Sequence, residues 1–385
     1  MKYYRFALIF CIFLFVSLCL LHYFSRRPLW LDENFIFDNI KNLKPLELLG
    51  PLSNSQAFPR IYLIAISRFA AQFGYDLLAL RFFPLLSMLL AFFVWLKVYN
   101  IGILDRWEAL LASFSIACSY SFSYYASELK QYSMDLLVVG IFCLYLINQK
   151  KLMAEKPSKT FIFITLLLPF TLLLSYGAFF VFWIVIYNFI FMPKRDFKVS
   201  AILTAYMLLC FICVAFIYYS DIRHTLSTQA LFSYWNDYFI STDSPHFFIR
   251  SFSEGVRKLT AWWFGKGKIF IRFGSALIPF FIIPMFIRGI KSLKQNRFMI
   301  WEIDSLGLVI FLELFILGML KKYPFTGGRI TLFFAPFVFY FIIKGIEYFK
   351  TNKAIYFSFS GYYIAFLIAS GLNSLVSYLG LYGVR

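Results

Sequence analysis

Nineteen of the 385 residues are acidic, and two of them stand side by side in Pro28-Leu29-Trp30-Leu31-Asp32-Glu33-Asn34, just after the first long apolar run. A carboxylate beside a membrane is costly unless it is solvated, paired or used. Asp32-Glu33 is therefore either a helix cap at the water boundary or the acid/base centre of a membrane enzyme. Other polar residues gather in a few places: Arg60, Arg81, the stretch Tyr124 to Tyr132 with Glu128 and Lys130, and the stretch Lys321 to Arg329. A carboxylate can take the proton of an attacking hydroxyl. Fixed cations stabilise charge building on a phosphate leaving group, and the planar fork of arginine matches phosphate oxygens in pairs. If these stretches converge, the chemistry they suit is transfer of a group away from a phosphate.

The elements that must position them are apolar. Hydrophobic residues make up 61% of the chain and charged residues 15%, against about 25% charged in a soluble domain, and the mean hydropathy is +0.74. Apolar runs of about 18 or more residues recur, long enough to cross a hydrocarbon core of about 30 Å. At that depth the backbone must satisfy its own hydrogen bonds. The runs are continuous and not alternating, which excludes a β-barrel. The fold class is an all-α polytopic membrane protein. The net charge of +18 then reads as orientation signals and attraction to anionic headgroups, with no nucleic acid implied. All six cysteines lie in apolar runs, Cys210-x-x-Cys213 in mid-helix, so no disulfide or redox role is assigned. The three histidines form no ligand cluster, and no metal site is assigned.

Eleven spans are expected, near 5–24, 78–98, 107–124, 132–148, 160–175, 178–192, 199–219, 270–287, 299–320, 330–346 and 354–375. Ser25-Arg26-Arg27 stands where a signal peptide would need small residues for cleavage, so the first run is read as an uncleaved span. Residues 25–76 form a first long extracytoplasmic loop, and 220–269 a second. In the first, Ile36, Phe37, Ile40 and Leu43 make the stripe of an amphipathic surface helix, and Ile61–Phe73 a second such helix. Lysine and arginine fill every second short connection, which puts the N-terminus in the cytoplasm and Asp32-Glu33 on the outer face. Residues 1–385 read as one transmembrane domain without a long repeat. A bacterial inner membrane is expected.

The ordered series Leu29-Trp30-Leu31-Asp32-Glu33, Phe58-Pro59-Arg60-Ile61-Tyr62, Leu80-Arg81-Phe82-Phe83-Pro84, Tyr124 to Tyr132, and Tyr323-Pro324-Phe325 to Arg329 resembles the GT-C glycosyltransferases, most closely the bacterial relatives of protein O-mannosyltransferases and aminoarabinose transferases. The resemblance implies a polyprenyl-phosphate-linked sugar donor, an acceptor hydroxyl on a lipid, glycan or protein, and inversion at the anomeric carbon. It implies that Asp32 is the general base with Glu33 beside it, and that basic residues of the outer loops meet the donor phosphate: Arg329 first, with Arg60 and Lys130. Glu128, Arg81 and Tyr132 are expected to support the site. A divalent cation accompanies some related enzymes, but no ligand cluster here supports one. Two departures bear on donor binding. Many relatives read Ser-Arg-Glu-x-Arg-x-Tyr where this chain has Ser127-Glu128-Leu129-Lys130-Gln131-Tyr132, and many have His-Pro-Pro where it has Ala57-Phe58-Pro59-Arg60.

Each residue also has a plainer role to set against this. Asp32 suits an N-cap before the amphipathic stripe, and Glu33 suits a helix N-terminus. Glu128 and Lys130 suit a solvated pair, and Arg329 a snorkelling anchor. Glu313 lies well inside the ninth expected span, where an acid is expensive. Trp235, Trp262 and Trp263 fit an interfacial aromatic belt. The rival functions are a ligase or polymerase of the O-antigen kind, using a diphosphate-linked donor, and a non-catalytic lipid or polysaccharide transporter, which would be expected to show internal repeats or paired broken helices.

Overall fold

The computed structural model describes residues 2–101, 104–153, 158–192, 197–226, 233–265 and 268–378. About 80% of the chain is helical, and no strand occurs among the described residues. Among the described residues seven helices are long and apolar enough to cross a membrane: Tyr3–Phe24, Leu77–Asn100, Tyr132–Gln149, Phe197–Ile222, Lys268–Gln295, Arg329–Glu347 and Lys353–Tyr378. The other four expected spans are shorter or broken. Residues 107–124 form α5 (Arg106–Cys118) and α6 (Tyr120–Tyr125), separated by an extended Ser119. Residues 160–175 form α8 (Lys159–Leu167) and a 3-10 turn, Leu168–Leu173, containing Pro169. Residues 178–192 form a 3-10 turn and α9 (Phe182–Ile190), and residues 299–320 form the 17-residue α15 (Ile303–Met319). The break at Ser119 has a tertiary cause. Ser119 Oγ and the Ser121 amide both donate to the carbonyl of Trp263, at 2.7 and 3.0 Å, so two orphaned polar groups are satisfied by another segment.

Helix α1 (Lys2–Phe24) leads into the first long loop, which builds a small core of its own. Helix α2 (Leu31–Asn42) and helix α3 (Arg60–Gln72) both form. Ile36 and Ile40 of the expected stripe are buried, with Phe37 and Leu43 partly so, against Leu48, Leu52, Phe58, Leu63 and Ile66. The stripe is consumed by packing inside the protein, at about 1.5–3 kcal/mol per buried side chain, and not by a lipid surface. Leu80 at the start of α4 (Leu77–Asn100) and Leu129 ahead of α7 (Tyr132–Met153) complete this core. Below it, α4 packs along α7.

One buried ion pair joins these parts. Glu33 and Arg81 are both 0% exposed, with Arg81 Nη2 3.0 Å from each carboxylate oxygen. Glu33 Oε1 also accepts from the Leu129 amide at 2.7 Å, and Oε2 from the Trp30 amide at 3.3 Å. Arg81 Nη1 donates to the Arg27 carbonyl at 2.8 Å. The loop after α1, α2, α4 and the loop before α7 thus meet at one carboxylate. Removing one member leaves an uncompensated buried charge, at a cost of about 3–5 kcal/mol. Arg81→Leu should therefore lower the thermal unfolding midpoint of the purified protein sharply, and Glu33→Leu combined with Arg81→Leu should recover much of the loss. Equal midpoints for Arg81→Leu and wild type would show that the pair does not hold the loops.

Candidate active site

The N-cap of α2 is Trp30, in an extended conformation, so Asp32 is the second residue of the helix and not its cap. Its charge still suits a first turn, but its side chain points elsewhere. Asp32 Oδ2 lies 2.9 Å from Arg329 Nη1, with the two side chains 26% and 13% exposed. Arg329 Nη1 has no aligned hydrogen-bond acceptor. The contact is thus a charge pair that leaves a donor of the guanidinium uncommitted.

Arg329 is set in place by the turn before it. A Cβ on Gly327 would overlap the carbonyl of Lys258, so only glycine lets this turn press against α12 (Pro245–Ala261). Gly328 has φ +109°, a conformation that favours glycine. Thr331 Oγ1 donates to the Thr326 carbonyl at 2.6 Å, and the Tyr323 hydroxyl to the Ile330 carbonyl at 2.6 Å. The guanidinium then lies over the Trp30 ring, 4.5 Å from its centroid, and 5.8 Å from that of Trp235, with Nη2 3.4 Å from the Tyr234 hydroxyl.

The segment between α6 and α7 closes the other side. Trp30 Nε1 donates to Glu128 Oε1 at 3.1 Å. Arg27 stacks 3.7 Å from the Tyr124 centroid and donates to the Ser127 carbonyl at 3.0 Å. Lys130 is buried and donates to Gln56 Oε1 at 2.7 Å. Burial pulls the Lys130 ammonium down to about 8; Asp32 holds it up in part, and Arg329 pushes it further down. Burial and the neighbouring Glu33 push the Glu128 carboxyl above its usual range, while Arg27, Arg329 and Lys130 restrain it.

These groups face an open cavity of about 810 Å³, lined by Asp32, Lys130, Tyr132 and Arg329 among others. The rest of its wall is largely apolar, with Phe35, Phe179, Phe180, Ile222, Phe239 and Leu317. Of the expected site residues, Asp32, Lys130, Tyr132 and Arg329 are brought together on this wall. Glu33, Arg81 and Glu128 sit behind it as the buried frame. Arg60 is turned away into a buried pair with Asp221, at 2.8 Å, and it is Asp221 that reaches the cavity. Trp263 is fully buried in the helical core and cannot serve in an interfacial belt, whereas Trp235 lines the cavity.

Sequence reasoning passed over Arg27, Gln56, Gln131, Asp135, Tyr176 and Asp221. Asp135 carried a signal, being an acid just inside an apolar run. Asp221 sits in a π-helical turn, Tyr218–Ile222, which continues α10 (Phe197–Ile217); such turns recur at functional sites, but nothing in the local residues announces one. Among the described residues no group of three or more His, Cys, Asp or Glu side chains is placed to hold a metal ion.

Fold and site together define a helical membrane protein with a charged, amphiphilic cavity at one end of its helices. No protein-family model, curated protein or solved structure matches the chain.

The Lys130 shift has a signed consequence. Its folded value of about 8 lies below the ordinary ~10.4, so the unfolded chain holds the proton more tightly across that window and stability rises with pH there. Anion binding should change in the opposite sense, because the cation is lost above pH 8. The affinity of a phosphodiester lipid should fall as pH rises from 7 to 9 in the wild type, and stay flat in Lys130→Arg. The same inflection in both proteins would assign it to another group.

Proposed function

We propose that the protein is a membrane glycosyltransferase that moves a sugar from a polyprenyl-phosphate carrier to an acceptor hydroxyl on the extracytoplasmic face. The reading rests on one observation: a carboxylate from the first loop and an arginine from the loop before the tenth expected span meet at 2.9 Å on the wall of a cavity whose remaining lining is mostly aromatic and aliphatic. A polyprenyl-phosphate sugar has the matching parts, a polar head on a long apolar tail.

In this reading the donor phosphate takes the uncommitted donors of Arg329 and draws the guanidinium from Asp32. Lys130 supplies a second cation on the same wall. The acceptor oxygen attacks the anomeric carbon from the face opposite the phosphate, and Asp32 takes its proton. The bond between the anomeric carbon and the phosphate oxygen breaks, and the leaving phosphate keeps the electron pair against Arg329. Configuration at the anomeric carbon is inverted. The prenyl chain lies along Phe179, Phe180, Ile222, Phe239 and Leu317. Glu33 does not touch substrate; it holds Arg81, Trp30 and Leu129, and so aims Asp32. The protein sits in a bacterial inner membrane with eleven spans, the N-terminus in the cytoplasm and the cavity outside.

One observation favours a diphosphate-linked donor as the second reading: Lys321 and Lys322 also line the cavity and add two cations. Purified protein would be given monophosphate- and diphosphate-linked glycolipids, and release of the carrier measured. Asp32→Asn should lower transfer about 10²–10⁴-fold, the range for loss of a positioned base. Arg329→Ala should lower it about 10²-fold or more, as for loss of a charge-stabilising donor. Wild-type transfer in both variants would sink the site, and reaction of the diphosphate-linked donor alone would establish the second reading.

A further inference from the structure

The charged rim accounts for Asp32, Lys130 and Arg329, but not for what lies deeper. Gln131, just ahead of α7, and Asp135, in its first turn, are four residues apart, and both line the cavity. On α15, Leu317 and Glu313 also line it one turn apart, with Glu313 the deeper. Four helical residues amount to about 6 Å of descent. Tyr176, from the turn before α9, faces the same space. Three of these side chains carry a buried polar atom with no partner: Gln131 Oε1, Tyr176 O–H and Glu313 Oε2. Gln131 is only 8% exposed. The other Glu313 oxygen accepts from Trp183 Nε1 at 2.5 Å, and Asp135 Oδ1 accepts from Ser175 Oγ and the Gly177 amide at 2.7 and 3.0 Å, so both carboxyls are held in place.

A buried polar atom left without a partner costs about 1–3 kcal/mol, and three such atoms on residues that line one space mark a place where a ligand supplies the partners. No third acidic, His or Cys side chain joins Asp135 and Glu313 in a metal-binding group among the described residues. Hydroxyl groups, satisfied one at a time, fit better. We infer that Gln131, Asp135, Tyr176 and Glu313 form the subsite for the transferred sugar, and that it takes a neutral, polyhydroxylated ring. A ring bearing a carboxylate brings a further acid against the Asp135 and Glu313 carboxyls and is disfavoured. This rests on the donor reading above: the phosphate at Arg329 anchors the ring, and the floor reads its hydroxyls.

The test separates the two claims by using lipids of equal phosphate charge. Binding to the protein in phosphatidylcholine nanodiscs is measured by calorimetry for farnesyl methyl phosphate and for farnesyl phosphodiesters of glucose, galactose, xylose and glucuronate. At least one neutral conjugate should bind about tenfold or more tighter than farnesyl methyl phosphate, a gain of about 1.4 kcal/mol, and the glucuronate should show no such gain. Gln131→Leu and Tyr176→Phe should each remove severalfold of that gain and leave farnesyl methyl phosphate unaffected. Tyr176→Phe deletes a single oxygen, so it carries the test if Gln131→Leu does not fold. If farnesyl methyl phosphate binds through Arg329 and no neutral sugar adds to it, the subsite is overturned and the phosphate reading stands. A glucuronate gain equal to the neutral one overturns the selectivity. Failure of every lipid to bind overturns both.

Discussion

The site depends on the cost of burying a charge. Glu33 is removed from water and survives there because Arg81 and two backbone amides meet both its oxygens. That requirement fixes the face of α2 turned to the protein. Successive residues on a helix point about 100° apart, so once Glu33 faces inward, Asp32 projects to the side, toward Arg329 and the cavity. The two adjacent carboxylates are therefore not duplicates. One is the structural anchor, and its anchoring aims the other.

Around this anchor the cations come from separate segments: Arg27 after α1, Lys130 before α7, Arg329 after the glycine turn, with Trp30 packed between Glu128 and Arg329. Side chains from so many places would repel or wander if free. Each is instead restrained by a neutral contact, a ring face for Arg27 and Arg329 or an amide for Lys130. The proposed reaction would draw on such preorganisation, since the groups would need little reorganisation to meet developing charge. The cost appears in the polar atoms left without partners around the cavity, which a native interior tolerates sparingly.

Part of this was legible from residues alone. The apolar stripe of α2, a second helix expected over Ile61–Phe73 and the long spans follow from periodicity and breakers, and the candidacy of Asp32 from the scarcity of acids, whereas Lys130, Tyr132 and Arg329 are singled out through the resemblance to GT-C enzymes. Arg60 and Trp263 show the limit. Both looked available for outer-face roles, but Arg60 is consumed by Asp221, far along the chain, and Trp263 by the helical core. The break at Ser119 likewise depends on the carbonyl of Trp263, just after α12. None of these has a local signature, because the partner lies in a distant part of the chain.

The sequence by itself determined that the chain is helical and membrane-like, and that its few acids and clustered cations sit near helix ends, because hydrophobic transfer energy and backbone hydrogen bonding act through composition and spacing. The tertiary structure decided which charges are spent on each other and which remain for a ligand. That sorting depends on desolvation and on distances between segments hundreds of residues apart, and those exist only once the helices have packed.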